Sequence, residues 1–508
     1  MSYEALVVGS GPNGLAAAIA LARAGKRVLV LEAAAKAGGA VASEELTLPG
    51  FIHDPYSSVY PAGAASPVFA AMPLHEHGLR WIHPRACLAH PLPDGSAAVL
   101  YRDLERTVAS LDALQAGDGE RWSAFATPYI EHFEALRQTM LAGFPPLGGP
   151  LGLLTGVGPR GLAGFTQLLF TSAQKLGEDL FEGDGSRAWL YGSAMHSDVP
   201  PARRGSAIAA AYLNLLGHGV GWPSPEGGAG RLAAALISYL QALGGEVRTQ
   251  ANVHRLAVER GRIVGVELDG GERISAPMVI ADVMPGALRE LAGAALPARY
   301  ARALARFRMG PATLKLDWAL DGPIPWSAPA VGEAGTVHVG GSADEVLSTT
   351  AMTGGLPERP FMLLGQQSIA DPTRAPAGKH TAWAYTHGPQ KLDWASEQGG
   401  HVERMEAQVE RFAPGFRERI LARHVLSPAD LQARNANLIG GDVGGGSYSI
   451  GQVLFRPVRS PAPYRTPVRG LYIGSAATFP GGAVHGVPGN AAARLALAEE
   501  RVKQALRR

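Results

Sequence analysis

Apolar and polar positions at the start of the chain follow a strand–turn–helix–strand pattern. Residues 5–8 form a short apolar run, which predicts a buried parallel strand. Residues 15–24 are almost wholly apolar and small, which predicts a helix packed against a sheet. Residues 27–31 give a second strand, and Glu32 ends it. The chain is therefore expected to open with a βαβ unit.

The turn between this first strand and the helix fits the pattern G-x-G-x-x-G. Its first glycine permits a tight turn, its second lets the backbone approach a pyrophosphate, and its third lets the helix pack closely. Glu32 lies at the distance expected for hydrogen bonds to ribose hydroxyls. A glycine turn in some other α/β protein is the alternative. The pattern predicts a dinucleotide site formed by Gly9, Ser10, Gly11, Pro12, Asn13, Gly14 and Glu32.

Further along the chain, residues 223–230 form a second glycine-rich loop, followed by leucines at helical spacing. Residues 313–320 alternate, so that Leu314, Leu316, Trp318 and Leu320 share one face of a strand. Lys315 and Asp317 take the opposite face. The second loop has two interpretations, a cofactor contact or a helix that starts against a sheet without touching a ligand.

Composition narrows the classes of function. At 508 residues, the chain is long enough for two or more domains, and 46 basic against 44 acidic residues give no reason to expect nucleic acid binding. Cys87 is the only cysteine, which excludes an intramolecular disulfide and a flavin–disulfide mechanism. Histidines lack the spacing of a metal site, so no metal is expected.

Residues 138–174 are apolar and almost free of charge, but prolines and glycines interrupt them. They are interpreted as a wall of a substrate tunnel or a patch that rests on a membrane, and ordinary core is the plain alternative. No signal peptide is visible at the N-terminus. A cytoplasmic protein, with peripheral membrane contact left open, is expected.

Several segments together resemble the phytoene desaturase-like and flavin amine oxidase superfamily. They are Glu32, then Gly38-Gly39-Ala40, then Gly50-Phe51-Ile52-His53-Asp54, and finally residues 470–490. Many members carry Arg at the position of Ala40, and this departure resembles a phytoene-dehydrogenase-like subgroup. Phe479 and His485 also depart from the common pattern, because relatives often have His and a small residue or Pro there.

The resemblance implies bound FAD. It places adenine at the backbone of Val253, and the ribityl chain and flavin beside Gly474, Ser475, Gly482, Val484 and His485. It implies an α/β fold with a glutathione-reductase-like Rossmann FAD domain and an inserted α+β substrate domain. The expected FAD domain comprises residues 1–70, 222–291 and 435–508, and the substrate domain residues 71–221 and 292–434.

Only one complete Rossmann signature is present, so we expect one FAD and no nicotinamide domain. The resemblance implies an oxidoreductase that moves a hydride between an apolar or other small organic substrate and flavin N5, with O2 or a quinone as acceptor. A flavin amine oxidase and a non-catalytic scaffold are the alternatives, and oligomeric state, including a homodimer, stays open.

Two residues are candidates for catalysis. In amine oxidases of the resembled superfamily, a lysine on a comparable strand reaches flavin N5 through water, which suggests Lys315. The alternative is a solvated strand face on which Lys315 pairs with a neighbouring acid. His485 lies in residues 470–490, which we call the flavin-edge segment, and its ring could carry protons. Its alternative is a structural histidine hydrogen-bonded to backbone.

Overall fold

A computed structural model describes residues 3–352 and 354–506. The strands are β1 (Ala5–Val8), β2 (Val28–Leu31), β3 (Trp81–Ile82), β4 (Ala86–Pro91), β5 (Ala97–Leu100), β6 (Ser224–Pro225), β7 (Glu246–Arg248), β8 (Val253–Glu259), β9 (Arg262–Leu268), β10 (Arg273–Ser275), β11 (Val279–Ala281), β12 (Ala312–Leu320), β13 (Ala334–Val339), β14 (Met362–Gly365), β15 (His380–Gly388), β16 (Ile420–Leu426) and β17 (Leu471–Ile473).

The helices are α1 (Pro12–Arg23), α2 (Pro61–Ala64), α3 (Pro67–Ala70), α4 (Leu104–Asp112), α5 (Asp118–Glu131), α6 (Phe133–Met140), α7 (Gly148–Gln167), α8 (Ala173–Leu180), α9 (Asp184–Ala194), α10 (Ser206–Val220), α11 (Gly230–Ala242), α12 (Pro285–Ala292), α13 (Ala298–Ala305), α14 (Ala343–Thr349), α15 (Trp394–Phe412), α16 (Pro428–Arg434), α17 (Ile450–Val453) and α18 (Val487–Ala505). Short 3-10 turns join several of them.

A parallel sheet of five strands has the order β17-β11-β1-β2-β7. Its strands are drawn from widely separated parts of the chain. Ala5 and Val7 of β1 pack against the helices on one face, whereas Leu6 and Val8 pack against the small antiparallel sheet β10-β9-β8 on the other. Because both faces are covered, β1, β2, β11 and β17 are apolar without alternation, whereas the edge strand β7 is partly exposed. The predicted α/β fold class with a Rossmann βαβ unit is confirmed.

A second, mixed sheet of seven strands has the order β16-β12-β15-β14-β13-β4-β5. The apolar stripe of β12 packs as predicted, because Leu314, Leu316 and Trp318 lie in one core with residues of α15. The other side of β12 is buried as well. We call this side of the sheet the polar face, and it carries Thr313, Lys315, Asp317, His338, Tyr385 and His387, which the strand register aligns.

These two sheets suit the predicted division of the chain, whose boundaries stay a prediction. Strands of the mixed sheet come from residues 86–100 and 312–426, and strands of the parallel sheet come from residues 5–31, 246–281 and 471–473. The two groups interleave along the chain, so each sheet is completed only by long-range pairing.

The apolar segment at residues 138–174 contains all of α7, which is kinked at Gly158 and Pro159. Four large apolar side chains in or beside it face solvent: Leu147 is 74% exposed, Leu151 63%, Leu154 37% and Phe170 54%. The interpretation as ordinary core is therefore wrong for these positions. Within the part of the chain that the structure describes, no helix is both long and apolar enough to cross a membrane.

Candidate cofactor site and active site

At its glycine positions, the turn between β1 and α1 has no room for a side chain. Gly9 has a φ of +98°, which favours glycine. A Cβ on Gly14 would clash with the Gly9 carbonyl oxygen, and one on Gly11 would lie 2.9 Å from Asp282 Oδ2. Pro12 takes the start of the helix, where its missing N–H is not needed. The bare backbone at this helix N-terminus is what a pyrophosphate requires.

Asp282 is a residue of this site that the sequence reasoning did not single out. It directly follows β11, and its Oδ2 accepts a hydrogen bond of 2.9 Å from the Gly14 amide. Burial raises the pKa of this carboxyl to about 7, with a smaller contribution from the Glu32 charge, while the Gly14 bond opposes the shift. An acid at the carboxyl end of a parallel strand was the available signal.

Glu32 ties the glycine turn to the glycine pair. Its Oε2 accepts bonds from the amide and hydroxyl of Ser10, at 2.9 and 2.5 Å. The same hydroxyl accepts a 3.0 Å bond from the Gly38 amide. A Cβ on Gly39 would lie 2.8 Å from the Gly11 Cα. These contacts bring the three predicted cofactor segments of the N-terminal region together.

Val253 and Ala40 are the remaining predicted cofactor residues of this part of the chain. The Ala251 amide donates to the Glu32 carbonyl at 2.8 Å, and Val253, buried, begins β8 two residues later. Ala40 accepts a 2.8 Å bond at its carbonyl from the Ser57 hydroxyl. Val253 therefore follows a segment that is bonded to the end of β2, and its contact with adenine stays a prediction.

The C-terminal segment packs directly on the glycine turn. The Gly474 amide, just after β17, donates to the Ala281 carbonyl at 3.0 Å, and Ser475 beside it is buried. A Cβ on Gly474 would lie 3.1 Å from the Gly489 Cα, and one on Gly489 would clash with the Asn13 backbone. The starts of α1 and α18 thus approach each other closely, with Gly489 against the Asn13 backbone.

The flavin-edge segment that follows has an unusual backbone. Ala483 and Val484 have φ values of +82° and +53°, a region that side chains rarely adopt. The Gly482 amide donates to the Tyr448 hydroxyl at 2.7 Å, which holds the turn from outside. Such strain persists only where surrounding contacts fix it, and it often accompanies function.

The hydrogen bonds of His485 fix the backbone around it. Its Nδ1 accepts a 3.2 Å bond from the Val487 amide, and its carbonyl accepts a 2.6 Å bond from Ser66. Burial lowers the pKa of the ring to about 4, although the Gly482 backbone opposes the shift. The ring is therefore neutral and stabilises the turn into α18. These contacts favour the structural interpretation, while its role as a proton carrier stays a prediction.

Lys315 lies in a buried charge cluster. Its Nζ is 2.5 and 2.6 Å from the two carboxylate oxygens of Asp317, and the side chains are 3% and 0% exposed. The face is thus paired with an acid, as the alternative supposed, but it is buried rather than solvated. His53 Nδ1 lies 3.6 Å from the same carboxylate, and burial, with the Lys315 charge, lowers the His53 pKa to about 3.

Asp54 connects this cluster to the cofactor segments. Its carboxylate accepts bonds from Ser43, Ser58, the Ala229 amide and Arg374, between 2.6 and 3.0 Å. Ala229 belongs to the second glycine-rich loop, so that loop meets the N-terminal segment through Asp54. Arg374 is buried and has no counterpart in any motif. Sequence reasoning could not find it, because the pairing spans 320 positions.

The residues present fit an FAD. Glycines at Gly9, Gly11, Gly14, Gly39 and Gly474 leave a backbone cradle that added Cβ atoms would fill or crowd. Glu32 presents a carboxylate at the end of β2, and the N-termini of α1 and α18 lie side by side. When bound, the flavin supplies the acceptor for two electrons. Among residues 3–352 and 354–506, no cluster of three or more potential ligands suits a metal ion.

Comparison with known proteins agrees with this arrangement. The family model described as flavin containing amine oxidoreductase matches residues 13–494. A rat protein called pyridine nucleotide-disulfide oxidoreductase domain-containing protein 2 is 29% identical, over 97% of this chain and 93% of the relative. One of the polypeptides of limonene dehydrogenase from Castellaniella defragrans is 25% identical over 95% of this chain and 92% of its own length.

Phytoene desaturases also occur among the relatives, which confirms the resemblance inferred from the motifs. Among solved structures, a putrescine oxidase bound to putrescine superposes with a TM-score of 0.62 at 18% identity, covering 99% of both chains. At that identity the likeness concerns the fold alone.

Proposed function

The chain belongs to the flavin containing amine oxidoreductase family and is an FAD-dependent oxidoreductase, and we propose that it dehydrogenates an apolar small molecule. One observation carries this proposal. Phe144, at the start of the exposed apolar segment, packs edge-to-face on Phe479 of the flavin-edge segment, with ring centroids 5.5 Å apart. This contact joins the exposed apolar segment to the segment expected beside the flavin.

Two neighbouring hydrogen bonds also join the apolar segment to the flavin-edge segment. The Phe144 amide donates to the Tyr464 hydroxyl at 2.9 Å, and that hydroxyl donates to the Phe479 carbonyl at 2.9 Å. Tyr464 thus fixes the surface segment to the flavin-edge segment. An apolar molecule that enters along α7 would need little desolvation of polar groups before it reaches the flavin.

The exposed side of α7 is proposed to rest on a lipid surface, from which such a substrate would be taken. Between Glu134 and Glu178 the chain has no acidic residue, while Arg137, Arg160 and Lys175 are basic. Exposed leucines beside basic residues are typical of segments that lie in the interface of anionic membranes. Leu151→Lys should weaken binding to anionic phospholipid vesicles in a flotation assay, whereas Leu421→Lys, at an exposed leucine outside the segment, should not.

The substrate class is tested by anaerobic mixing of the FAD-loaded protein with limonene or with putrescine. The proposal predicts that limonene bleaches the visible flavin band and putrescine does not. Readmission of O2 or of a quinone then identifies the acceptor from the rate at which the band returns. Bleaching by putrescine alone would contradict the proposal.

An amine oxidase is the second candidate function, favoured by one observation. Trp383 and Tyr385 stack on the polar face, with ring centroids 5.8 Å apart and planes 9° from parallel. Aromatic faces attract cationic groups. However, Lys315 Nζ already lies 5.9 Å from the Trp383 ring, and a second cation would meet its charge. The putrescine arm of the experiment above decides between the two.

A further inference from the structure

A histidine and a carboxylate meet on the polar face, outside every motif described above. His387 lies near the end of β15, and its Nε2 is 2.7 Å from Asp198 Oδ1. The two side chains are 4% and 6% exposed. Asp198 follows a one-turn helix with a φ of +61°, which is uncommon for a residue with a side chain.

This pair lies between a cavity and the flavin-edge segment. The cavity is small, about 10 Å³, and its lining is mixed: Met195, Met352, Phe361, Leu363 and Tyr385 are apolar or aromatic, whereas Thr349, Thr350, Thr386 and His387 are polar. On the other side, a Cβ on Gly444 would clash with Asp198 Oδ2, and one on Gly482 would lie 2.5 Å from the Gly444 carbonyl oxygen. Asp198 is thus one residue removed from Gly482.

The contacts of the ring determine which nitrogen is basic. An ionised carboxylate only accepts hydrogen bonds, so the contact with Asp198 favours a proton on Nε2. In the part of the chain that the structure describes, the buried Nε2 forms no hydrogen bond in good geometry, although Asp198 Oδ1 lies 2.7 Å away. Among the described residues, Nδ1 hydrogen-bonds the Thr313 hydroxyl, at 3.3 Å. With the proton on Nε2, Nδ1 is the ring nitrogen that can accept a proton.

The other basic side chains on the polar face are already engaged in contacts with neighbouring groups. Lys315, two positions from Thr313, contacts both oxygens of Asp317. His196 shares a 2.9 Å contact with His338 through their Nε2 atoms, and burial lowers the His196 pKa to about 3. Neutral, buried His196 is a weak proton acceptor near neutral pH.

We propose that His387 is the general base of the dehydrogenation and that Asp198 is its positioning residue. This proposal rests on the proposed function. Two C–H bonds of the substrate break. A bound FAD would supply the acceptor for one hydrogen with both bonding electrons, while the other hydrogen would leave as a proton to His387 Nδ1 and its electron pair would form the new C=C bond. Asp198 then faces an imidazolium, whose charge it stabilises.

The test uses the FAD-loaded protein and three variants, His387→Gln, Asp198→Asn and the control His380→Gln. His380 lies at the other end of β15 and contacts Ser368 at 3.2 Å. With limonene as the probe, His387→Gln should slow anaerobic flavin reduction by about 10²–10⁴-fold without loss of bound FAD. His380→Gln should reduce at the wild-type rate.

Asp198 needs a readout that a merely structural role would not change. The tautomer of the His387 ring supplies it. The other titratable groups near the pair are His196, Tyr385 and Asp442, and none of them is substituted in the variants.

Histidine-selective ¹⁵N NMR of the same proteins decides the matter without a substrate. Neutral His387 should carry its proton on Nε2, and Asp198→Asn should shift it toward a mixture of tautomers. A proton on Nδ1, a tautomer indifferent to Asp198, or undiminished reduction in His387→Gln would each overturn the proposal. Failure of the proposed function shows separately, because limonene would then leave the wild-type flavin oxidised.

Discussion

The cofactor region and the polar face are built in different ways. The cofactor region depends on backbone, since glycines let α1, α18 and the segment after Gly38 approach within contact of one another. The polar face depends on side chains drawn together from distant strands, such as Lys315 with Asp317 and His387 with Asp198. The first arrangement leaves a local trace in the sequence, and the second leaves almost none.

The largest effect is expected where the backbone of the cofactor region is obstructed. Gly14→Ala places a Cβ against the Gly9 carbonyl oxygen, which cannot move without breaking the turn. We expect loss of bound FAD and a decrease in unfolding free energy of more than about 3 kcal/mol. Flavin content and urea unfolding measure both.

Gly286→Ala is the control for that change. It lies in the first turn of α12, and no heavy atom lies within 4 Å of its added Cβ. This variant should keep its FAD and gain up to about 1 kcal/mol of helix stability. If Gly14→Ala bound FAD as tightly as this control, the cofactor region would not depend on close backbone approach.

The next effect concerns the buried pair on the polar face. Lys315→Met or Asp317→Leu should each cost about 3–5 kcal/mol of unfolding free energy, because each leaves an unpaired buried charge. The double variant should recover much of that loss. The exposed pair Lys379 and Asp321, treated identically, should show coupling of at most about 1 kcal/mol. Equal coupling in the two cycles would contradict the buried arrangement.

The same Lys315→Met variant separates stability from chemistry. Unchanged turnover with limonene, measured well below the melting temperature, would remove Lys315 from the mechanism. Turnover reduced far more than the folded fraction would keep it there.

A smaller effect, dependent on pH, is expected at Asp282. Its pKa rises from an ordinary 3.8 to about 7 on folding, so the folded state prefers the neutral carboxyl. The resulting stability is complete below about pH 4 and is lost as the pH rises through about 7, by up to ~4 kcal/mol. Asp282→Asn, which keeps an acceptor for the Gly14 amide, should flatten this dependence. Melting of the apoprotein between pH 5 and about 8 measures it, and an unaltered slope would count against the buried carboxyl.

The smallest effect is expected at Glu32, where the loss concerns affinity. Glu32→Gln removes a charged acceptor for ribose hydroxyls, which should weaken FAD binding about 10–100-fold, or ~1.5–3 kcal/mol. The exposed Glu259→Gln, in β8, should leave the affinity unchanged. Fluorescence titration of the apoprotein with FAD distinguishes them, and equal affinities would exclude Glu32 from the ribose site.

The contrast between the two regions explains how much the sequence could predict. The βαβ unit and the strand at residues 313–320 were predictable, because apolar spacing and glycines act over short range. Asp282 had a local signal that was overlooked. Arg374, Asp198 and His387 had none, since each meets its partner only through the folding of distant segments. The roles expected for Lys315 and His485 stay predictions.

The most direct test of the central claim is anaerobic titration of the purified, FAD-loaded protein with limonene, followed by the visible flavin band. We predict that the band bleaches and returns when an acceptor is admitted, with putrescine inactive in parallel. A flavin that putrescine bleaches and limonene leaves oxidised would contradict the claim that this enzyme dehydrogenates an apolar substrate.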